Sequence, residues 1–246
     1  MGRLAGRIRR SRRQTLALGL LGALPGLVGC STVVVRRGVE RRVERRLGDL
    51  LGPAEGYQVR IRGSRDPDLV RGYARRVEVR GRGILARGQL RVERLDLTLE
   101  DLRYEGGEPY FVSVGRSELE VEFTDAALNR YLSEYHGRYQ PSVRFLEGQV
   151  EVRMLYRFLG APTPLRAVGR FQVEEGKKLN FEALEADVPF ISADQPEFRR
   201  RFVQDRVNPL LDLTRLEFPA QLESVELSPG RLKARGTANL PREVRE

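Results

Sequence analysis

The amino-acid sequence predicts an α+β fold in which a long, curved antiparallel sheet wraps around amphipathic helices. From Tyr57 onwards, apolar and charged residues alternate with a period of two over most of the chain, which is typical of half-buried strands. Three segments instead repeat their apolar residues every three or four positions, as amphipathic helices do. Three long strand segments change the parity of their apolar positions, and such a change requires a bulge or a bend. The sheet is therefore predicted to curve.

The N-terminal 29 residues have the pattern of an export signal. Six arginines and no acidic residue precede an apolar stretch that Pro25-Gly26 interrupts. The apolar residues, 16–28, are too few to span a bilayer, which takes about 20 residues. A basic segment followed by a short apolar segment indicates a cleaved secretory signal, so residues 1–29 are predicted to be a lipoprotein signal peptide.

Cys30 is the only cysteine, and it ends the segment Leu27-Val28-Gly29-Cys30, which is similar to the lipobox of bacterial lipoproteins. In such a site the thiol is acylated with chains such as palmitate, and the mature chain begins at the cysteine. The alternative is a buried cysteine beside a helix. We expect an exported protein anchored in a membrane through acylated Cys30, either on the outer side of the cytoplasmic membrane or in an outer membrane. Ser31 in place of an aspartate resembles lipoproteins that reach an outer membrane.

Residues 30–246 are predicted to form a single domain with a mixed-charge surface. The formal charge is +10 for the whole chain and falls to +4 without the six arginines of the signal. Abundant residues of both signs indicate a solvated surface and not a nucleic-acid footprint, so no nucleic-acid partner is expected. Anionic lipid head groups are compatible with this charge. With Cys30 acylated, no thiol remains for a disulfide.

A basic amphipathic helix is predicted over residues 33–51, ending at Gly52-Pro53. Its apolar stripe consists of Val35, Val39, Val43, Leu47 and Leu50. Six arginines fill other positions, and Glu40 and Glu44 are expected to support the helix as their intrahelical partners. Two interpretations stay open: the stripe packs on the domain, or the helix lies near anionic lipid, which it reaches because it begins close to Cys30.

Strands and turns follow in order. Residues 57–61 and 77–79 alternate, with a short helix or turn at 67–73 between them. The next run is apolar on even positions at 90–92 and on odd positions at 95–99, so its parity changes at Glu93-Arg94. Gly106-Gly107 predicts a turn, and residues 119–123 alternate again.

The second half repeats this organisation with two more helices. Residues 124–135 predict a helix that Thr124 or Asp125 caps, and residues 196–211 predict another, kinked by Asn208-Pro209. Strand patterns lie between these helices and after the second. The other two parity changes precede Leu184 and Val225. Together the chain is predicted to hold eight to ten strands and three helices.

No motif in the chain indicates catalysis or a metal site. His136 is the only histidine and lies at a helix end, so a histidine- or cysteine-based metal site is excluded by count. A G-x-S-x-G elbow and a phosphate-binding loop are also missing. The many paired carboxylates fall on polar strand faces, as in a solvated surface. We therefore expect no enzyme, no cofactor and no metal.

Several segments in sequential order resemble the LmeA-type phospholipid-binding family, a bacterial domain formerly of unknown function. The resemblance covers about residues 39–240 and is carried by residues 39–47, 57–63, 90–99, 123–132 and 208–213, by Phe218-Pro219, and by residues 222–225 and 230–232. It implies phospholipid binding in the cell envelope without catalytic residues. It also implies a fold similar to tubular lipid-binding proteins of the bactericidal/permeability-increasing type.

These expectations define a hypothetical site in a non-enzymatic phospholipid-binding lipoprotein, possible roles being lipid transfer or envelope maintenance. An apolar groove for acyl chains is predicted to be lined by Leu95, Leu97, Leu99, Phe123, Leu128, Tyr131, Leu132, Phe198 and Phe202. The head-group phosphate is predicted to meet Arg60, Arg62, Arg199, Arg200 and Arg201. The alternative is an envelope scaffold or interaction lipoprotein with a closed core and no bound lipid.

Overall fold

The computed structural model describes residues 32–87, 89–105, 110–135, 139–215 and 220–238. Thr32–Glu246 clusters as one compact unit. The predictions for the signal segment, Cys30, Gly106-Gly107, His136 and Phe218-Pro219 fall outside the described residues.

The described residues contain four helices and twelve strands. The helices are α1 (Thr32–Leu51), α2 (Asp66–Val70), α3 (Asp125–Tyr135) and α4 (Pro196–Val207). The strands are β1 (Gly56–Arg62), β2 (Tyr73–Ala86), β3 (Leu90–Glu105), β4 (Tyr110–Ser113), β5 (Arg116–Thr124), β6 (Ser142–Phe145), β7 (Val150–Phe158), β8 (Ala161–Glu174), β9 (Lys178–Asp187), β10 (Leu211–Asp212), β11 (Ala220–Ser228) and β12 (Arg231–Ala238).

The strands form two open antiparallel sheets and not the single long sheet that was predicted, while the strands and helices together confirm the α+β class. Sheet A has the order β1-β2-β3-β5-β12-β11, with β4 also paired to β3, and sheet B has the order β10-β9-β8-β7-β6. Helix α3 separates β5 of sheet A from β6 of sheet B along the chain, and the chain returns to sheet A with β11 and β12. Helix α4 ends at Val207 and not at residue 211, since Pro209 offers no backbone N–H to continue it and Leu211 belongs to β10.

The predicted parity changes have two structural causes. In the β2–β3 ribbon the register is the same on both sides of the change, because Arg82 pairs with Arg94 and Ile84 with Val92. The ribbon instead turns at Gly83, whose φ of 58° suits glycine and where a Cβ would lie 2.5 Å from Cδ of Glu55. Beyond that turn the ribbon buries its opposite face.

The other two parity changes are β-bulges. In β9, Val168 pairs with Glu185 and Gly169 with Ala183, which leaves Leu184 as the extra residue. Leu184 was expected on the buried side of the strand, but as the bulge residue it is 42% exposed. In β11 the register shifts between Leu222 and Ser224. Both bulges bend their strands, as the sequence predicted.

Helix α1 covers the free edge of sheet A. Glu44 accepts a hydrogen bond from the Val59 backbone N–H at 3.0 Å, and Glu40 accepts one from the Ile61 N–H at 2.9 Å. Strand β1 is an edge strand, and these N–H groups face away from β2. The two glutamates therefore satisfy exposed backbone donors that invite aggregation. They were expected to pair with arginines within α1, and that expectation is wrong.

Two asparagines act on strand edges in the same way. Asn129 of α3 accepts a hydrogen bond from Val143 N–H at 2.6 Å and donates one to the Val143 carbonyl at 2.9 Å. Asn208, just after α4, makes the same pair of bonds with Phe181 of β9, at 2.7 and 2.9 Å. Each amide side chain replaces one residue of a neighbouring strand and attaches a helix to sheet B.

One continuous apolar core joins the two sheets and the helices. Helix α3 buries Leu128, Tyr131 and Leu132 to 1% exposure or less. Between the sheets, the Phe145 ring lies 6.4 Å from that of Phe123 and 6.0 Å from that of Phe171, both in edge-to-face contact. Among the described residues, no helix is both long and apolar enough to cross a membrane.

A nearly buried carboxylate lies on the outer face of sheet B. The Glu151 side chain is only 6% exposed and accepts hydrogen bonds from Arg153 Nε at 2.7 Å and from Arg166 Nε at 2.6 Å. Burial alone would raise the pKa of Glu151, but the hydrogen bonds from Arg166 and Arg153 outweigh it and hold the pKa below its ordinary value. The ionised form is therefore the one that stabilises the fold.

We expect Glu151→Gln to lower the free energy of unfolding at pH 7 by about 1.5–3 kcal/mol, the contribution of hydrogen bonds to a charged group. Because the folded pKa of Glu151 is depressed, its contribution is complete above the unfolded pKa of about 4.3 and is lost as the pH falls below that value. The wild type should thus lose more stability than Glu151→Gln below about pH 4. Urea unfolding at several pH values measures this, with the exposed Glu147→Gln as the control. A stability difference between the wild type and Glu151→Gln that stays constant at every pH would contradict this prediction.

Candidate functional site

A wholly apolar cavity lies between sheet A and the β9–β10 edge of sheet B. Its volume is about 30 Å³. It is lined by Ala86, Leu90, Val92, Val121, Phe123, Leu179, Leu211, Leu213, Leu222, Val225, Leu232 and Ala234. Since no polar side chain faces this space, it offers contacts only to an apolar group.

The strands of sheet A supply one wall through direct pairing. Val121 of β5 pairs with Ala234 of β12, and Phe123 pairs with Leu232, so these four side chains share one face of the sheet. On β11, the bulge places Leu222 and Val225 on the same cavity although they are three residues apart. The wall is thus continuous across three strands.

The other walls depend on the turned ribbon and on β10. Beyond Gly83 the β2–β3 ribbon presents Ala86, Leu90 and Val92 to the cavity. Strand β10 closes the side that faces sheet B and is only two residues long, with Leu211 paired to Leu179. It is the shortest of the described strands, and backbone hydrogen bonds from Leu210 to Leu179 and from Leu213 to Lys177 flank it.

Several charged side chains lie on and around the β9–β10 pair. Lys177 Nζ donates to the Ala220 carbonyl at 3.2 Å, Lys178 lies 3.5 Å from Glu174, and Arg215 lies 3.7 Å from Asp212. Burial raises the pKa of Asp212, but hydrogen bonds from Thr214 and the nearby Arg215 and Lys178 lower it by more, so the net shift is downward. Three cations and two carboxylates therefore lie close to the cavity in the chain without being part of its lining.

In this conformation the cavity is closed to any large ligand. Pockets for drug-sized molecules hold about 300–1,000 Å³, at least ten times the volume of this one. An apolar void with no polar lining stays dry, and its walls lack the contacts of a filled core. The seam between sheet A and β10 is consequently less completely packed than a filled core.

The structure distributes the predicted groove residues over different parts of the core. Phe123 lines the cavity. All the others on β3 and α3 are buried to 5% exposure or less in the core without being part of that lining: Leu95, Leu97, Leu99, Leu128, Tyr131 and Leu132. They pack where sheet A meets α3.

Phe198 and Phe202 of α4 belong to a separate aromatic cluster. The Phe202 ring lies 5.2 Å from that of Tyr156 and 5.3 Å from that of Phe190, and Phe198 lies 6.4 Å from Phe202. Phe198 is 56% exposed. The Arg206 guanidinium lies 3.3 Å from the centre of the Phe202 ring, a cation–π contact. Neither phenylalanine lines the cavity.

The predicted head-group arginines do not converge on one point. Arg60 and Arg62 are exposed on β1, where Arg62 pairs with Glu78 at 3.0 Å. On α4, two nitrogens of Arg199 donate to the Ile191 carbonyl, Arg200 Nη1 donates to the Leu184 carbonyl at 3.4 Å, and Arg201 lies 3.8 Å from Asp205. None of the five belongs to the cavity lining.

Two larger depressions have charged side chains in their linings. One of about 850 Å³ lies on the outer face of sheet A, where Glu120 pairs with Lys233 at 3.0 Å and with Arg235 at 3.2 Å. The hydrogen bond from Lys233, followed by that from Arg235, holds the pKa of Glu120 below its usual value. The other, about 510 Å³, lies across β7 and β8. Within the described ranges, no group of three or more histidine, cysteine or acidic side chains is placed to hold a metal ion.

Comparison with known proteins gives one match. A family model described as LmeA-like phospholipid-binding matches residues 32–237, which is most of the chain and nearly all of the compact unit. No curated protein and no solved structure matches significantly.

Proposed function

The chain belongs to the LmeA-like phospholipid-binding family, and on this premise we propose that it binds phospholipid by admitting acyl chains between sheet A and β9–β10. The observation that supports this site is the apolar cavity, since all twelve of its lining residues are apolar. Acyl chains need no polar contact, so such a lining suits them and little else.

Acyl chains supply enough free energy to open the closed seam. Burying a methylene contributes about 0.8 kcal/mol, so two chains of about 16 carbons offer roughly 25 kcal/mol before the costs of binding. Opening the seam at β10 breaks its two-residue pairing with β9 and the flanking backbone hydrogen bonds from Leu210 to Leu179 and from Leu213 to Lys177. Each such bond contributes about 0.5–1.5 kcal/mol net, so these bonds cost less than the acyl chains offer.

The head group would then lie at the rim beside β10. Lys177, Lys178 and Arg215 lie within two residues of the lining residues Leu179 and Leu213 in the sequence, so they bring positive charge near the cavity. Arginine and lysine bind phosphate through charge-assisted hydrogen bonds. None of the arginines of β1 and α4 that the sequence suggested lies within two residues of a lining residue.

We further propose that the protein is a non-enzymatic lipoprotein of the bacterial cell envelope, exported by residues 1–29 and anchored through Cys30. The signal-like N-terminus supports this proposal. A role in lipid transfer or envelope maintenance, and a tubular fold like that of bactericidal/permeability-increasing proteins, go with the same proposal. The second candidate is an envelope scaffold with no bound lipid, which the small volume of the cavity favours.

Native mass spectrometry of protein beginning at Ser31, with lipid extraction from the same sample, tests the proposed function. We expect a stoichiometric phospholipid adduct, and the extracted lipid identifies the preferred head group. A clean apo mass, with no uptake from anionic or zwitterionic vesicles, would reject lipid binding and favour the scaffold. The compact unit begins at Thr32, so this protein retains the whole described fold.

A further inference from the structure

Helix α1 exposes a row of arginines, most of which have no acidic partner among the described residues. The exposed positions of its surface include Arg37, Arg41, Arg42, Arg45 and Arg46. Among the described residues, no carboxylate pairs with Arg37, Arg41 or Arg42. Asp49 is the acidic residue on the exposed side of α1, and it lies 3.8 Å from Arg46 at the end of the helix.

The position of the glutamates explains this excess of charge. Glu40 and Glu44 would ordinarily neutralise neighbouring arginines at helical spacing. Both instead turn toward β1 and accept backbone hydrogen bonds from Ile61 and Val59. The apolar stripe of α1 is packed in the core, where Val43 and Leu47 are only 6% and 4% exposed. Only the arginine face is left for solvent or a partner.

The outer face of sheet A provides a contrast. Many of its arginines are paired with carboxylates, either within a strand, as in Arg94–Asp96, or across strands, as in Arg62–Glu78, Arg76–Glu100, Arg80–Asp96, Arg231–Glu122 and Arg235–Glu120. A mixed ladder of this kind has little net field, whereas the α1 face has one sign over nearly its full length. The α1 surface is therefore the strongest candidate on the fold for an anionic partner.

We propose that the exposed arginine face of α1 (Arg37, Arg41, Arg42, Arg45 and Arg46) docks on an anionic phospholipid surface. A row of positive charges on one side of a helix is attracted to the closely spaced phosphates of an anionic bilayer. The helix stays packed on β1 while it binds, because its apolar stripe and its glutamates remain in their places in the fold. Docking is therefore electrostatic, with no insertion of the helix into the acyl region. This surface is distinct from the apolar cavity and does not depend on the proposed acyl-chain site.

Vesicle sedimentation tests the proposal on protein beginning at Ser31, which has no lipid anchor. Phosphatidylcholine vesicles with and without phosphatidylglycerol are compared at about 0.1 M NaCl and at about 1 M NaCl, where the Debye length falls from about 10 Å to about 3 Å. We expect binding only to the anionic vesicles at the lower salt concentration. No binding under that condition would overturn the proposal.

A pair of matched double variants locates the surface. Arg37→Gln/Arg41→Gln should weaken vesicle binding about 25-fold, since each arginine near the membrane contributes about fivefold. Arg37→Lys/Arg41→Lys should restore binding, because only the charge is needed. Arg80→Gln/Arg231→Gln removes the same charge from the outer face of sheet A and should lower binding less than about threefold, since those cations are already paired. Equal losses in both glutamine variants would show an effect of net charge alone and reject the α1 surface.

Lipid extraction from the same variants separates this proposal from the acyl-chain site. Arg37→Gln/Arg41→Gln should retain the phospholipid that copurifies with the wild type, because neither residue lines the cavity. If the wild type carries no lipid but still binds anionic vesicles through α1, the acyl-chain site is rejected and the docking surface is retained.

Discussion

Leu213→Glu is expected to abolish copurification of phospholipid, with at least a tenfold loss of bound lipid per protein. Leu213 lines the cavity at its β10 side and is 6% exposed. A carboxylate there would lie against acyl chains with no hydrogen-bond partner in the lining, and burying such a group costs several kcal/mol. Quantitative lipid extraction and native mass spectrometry measure the loss.

Leu159→Glu is the matched control. Leu159 is 91% exposed in the β7–β8 turn and does not line the cavity, so the same substitution should leave lipid binding within about twofold of the wild type. Circular dichroism shows whether each variant folds. Should Leu213→Glu unfold, Ala234→Leu takes its place, since it fills the cavity with an apolar group at a cost of about 1–3 kcal/mol. A folded Leu213→Glu or Ala234→Leu variant that keeps its lipid would place the acyl chains elsewhere.

The helices and most strands could be predicted because each has a local pattern. Helix α1 was predicted at 33–51 from apolar residues at helical spacing, and it runs from Thr32 to Leu51. The period-two alternation around Val59 and around Val121 located β1 and β5 equally well. Burial of one face imposes these periods, so they are visible without knowledge of the partner.

The cavity could not be found in the same way, because its walls are set by pairing between distant residues. Val121 and Ala234 meet across 113 positions of the chain. Leu95, Leu97 and Val121 have the same local pattern, yet only Val121 faces the void. The parity changes were the one sequence signal related to the cavity. Its lining residues Leu90 and Val92 lie just beyond the turn of the β2–β3 ribbon, where the parity changes.

The roles of polar side chains at strand edges were equally hidden. Glu40 and Glu44 fit intrahelical pairing by their spacing, and only the position of β1 beside α1 shows that they bind its backbone. Asn208 was recognised as the residue before a proline and not as a partner of Phe181. A side chain that replaces a missing strand has no sequence signature of its own, because any acceptor at the right point in space suffices.

Cys30→Ser in the full-length chain is expected to move the protein from the membrane fraction to the soluble fraction almost completely. If Cys30 carries two or three acyl chains, the anchor is effectively permanent, since even two lipid signals suffice for stable attachment. Without acylation, only the α1 arginines hold the protein to anionic lipid, and that attachment is weak and reversible. Fractionation of cells that express the full-length protein, together with the intact mass of the product, measures both effects.

The salt dependence distinguishes the two attachments. The wild type should resist extraction at about 1 M NaCl, where surface electrostatics are screened within about 3 Å, whereas any membrane-bound Cys30→Ser should be released. Ser31→Ala changes the neighbouring residue by one oxygen, leaves the thiol in place and should behave as the wild type. A Cys30→Ser protein that stays in the membrane at high salt, or a wild-type mass without added acyl chains, would contradict the anchor. A fraction of Cys30→Ser that stays on the membrane at low salt should be lost when Arg37→Gln/Arg41→Gln is added. This result would show that α1 binds the membrane independently of the lipid anchor.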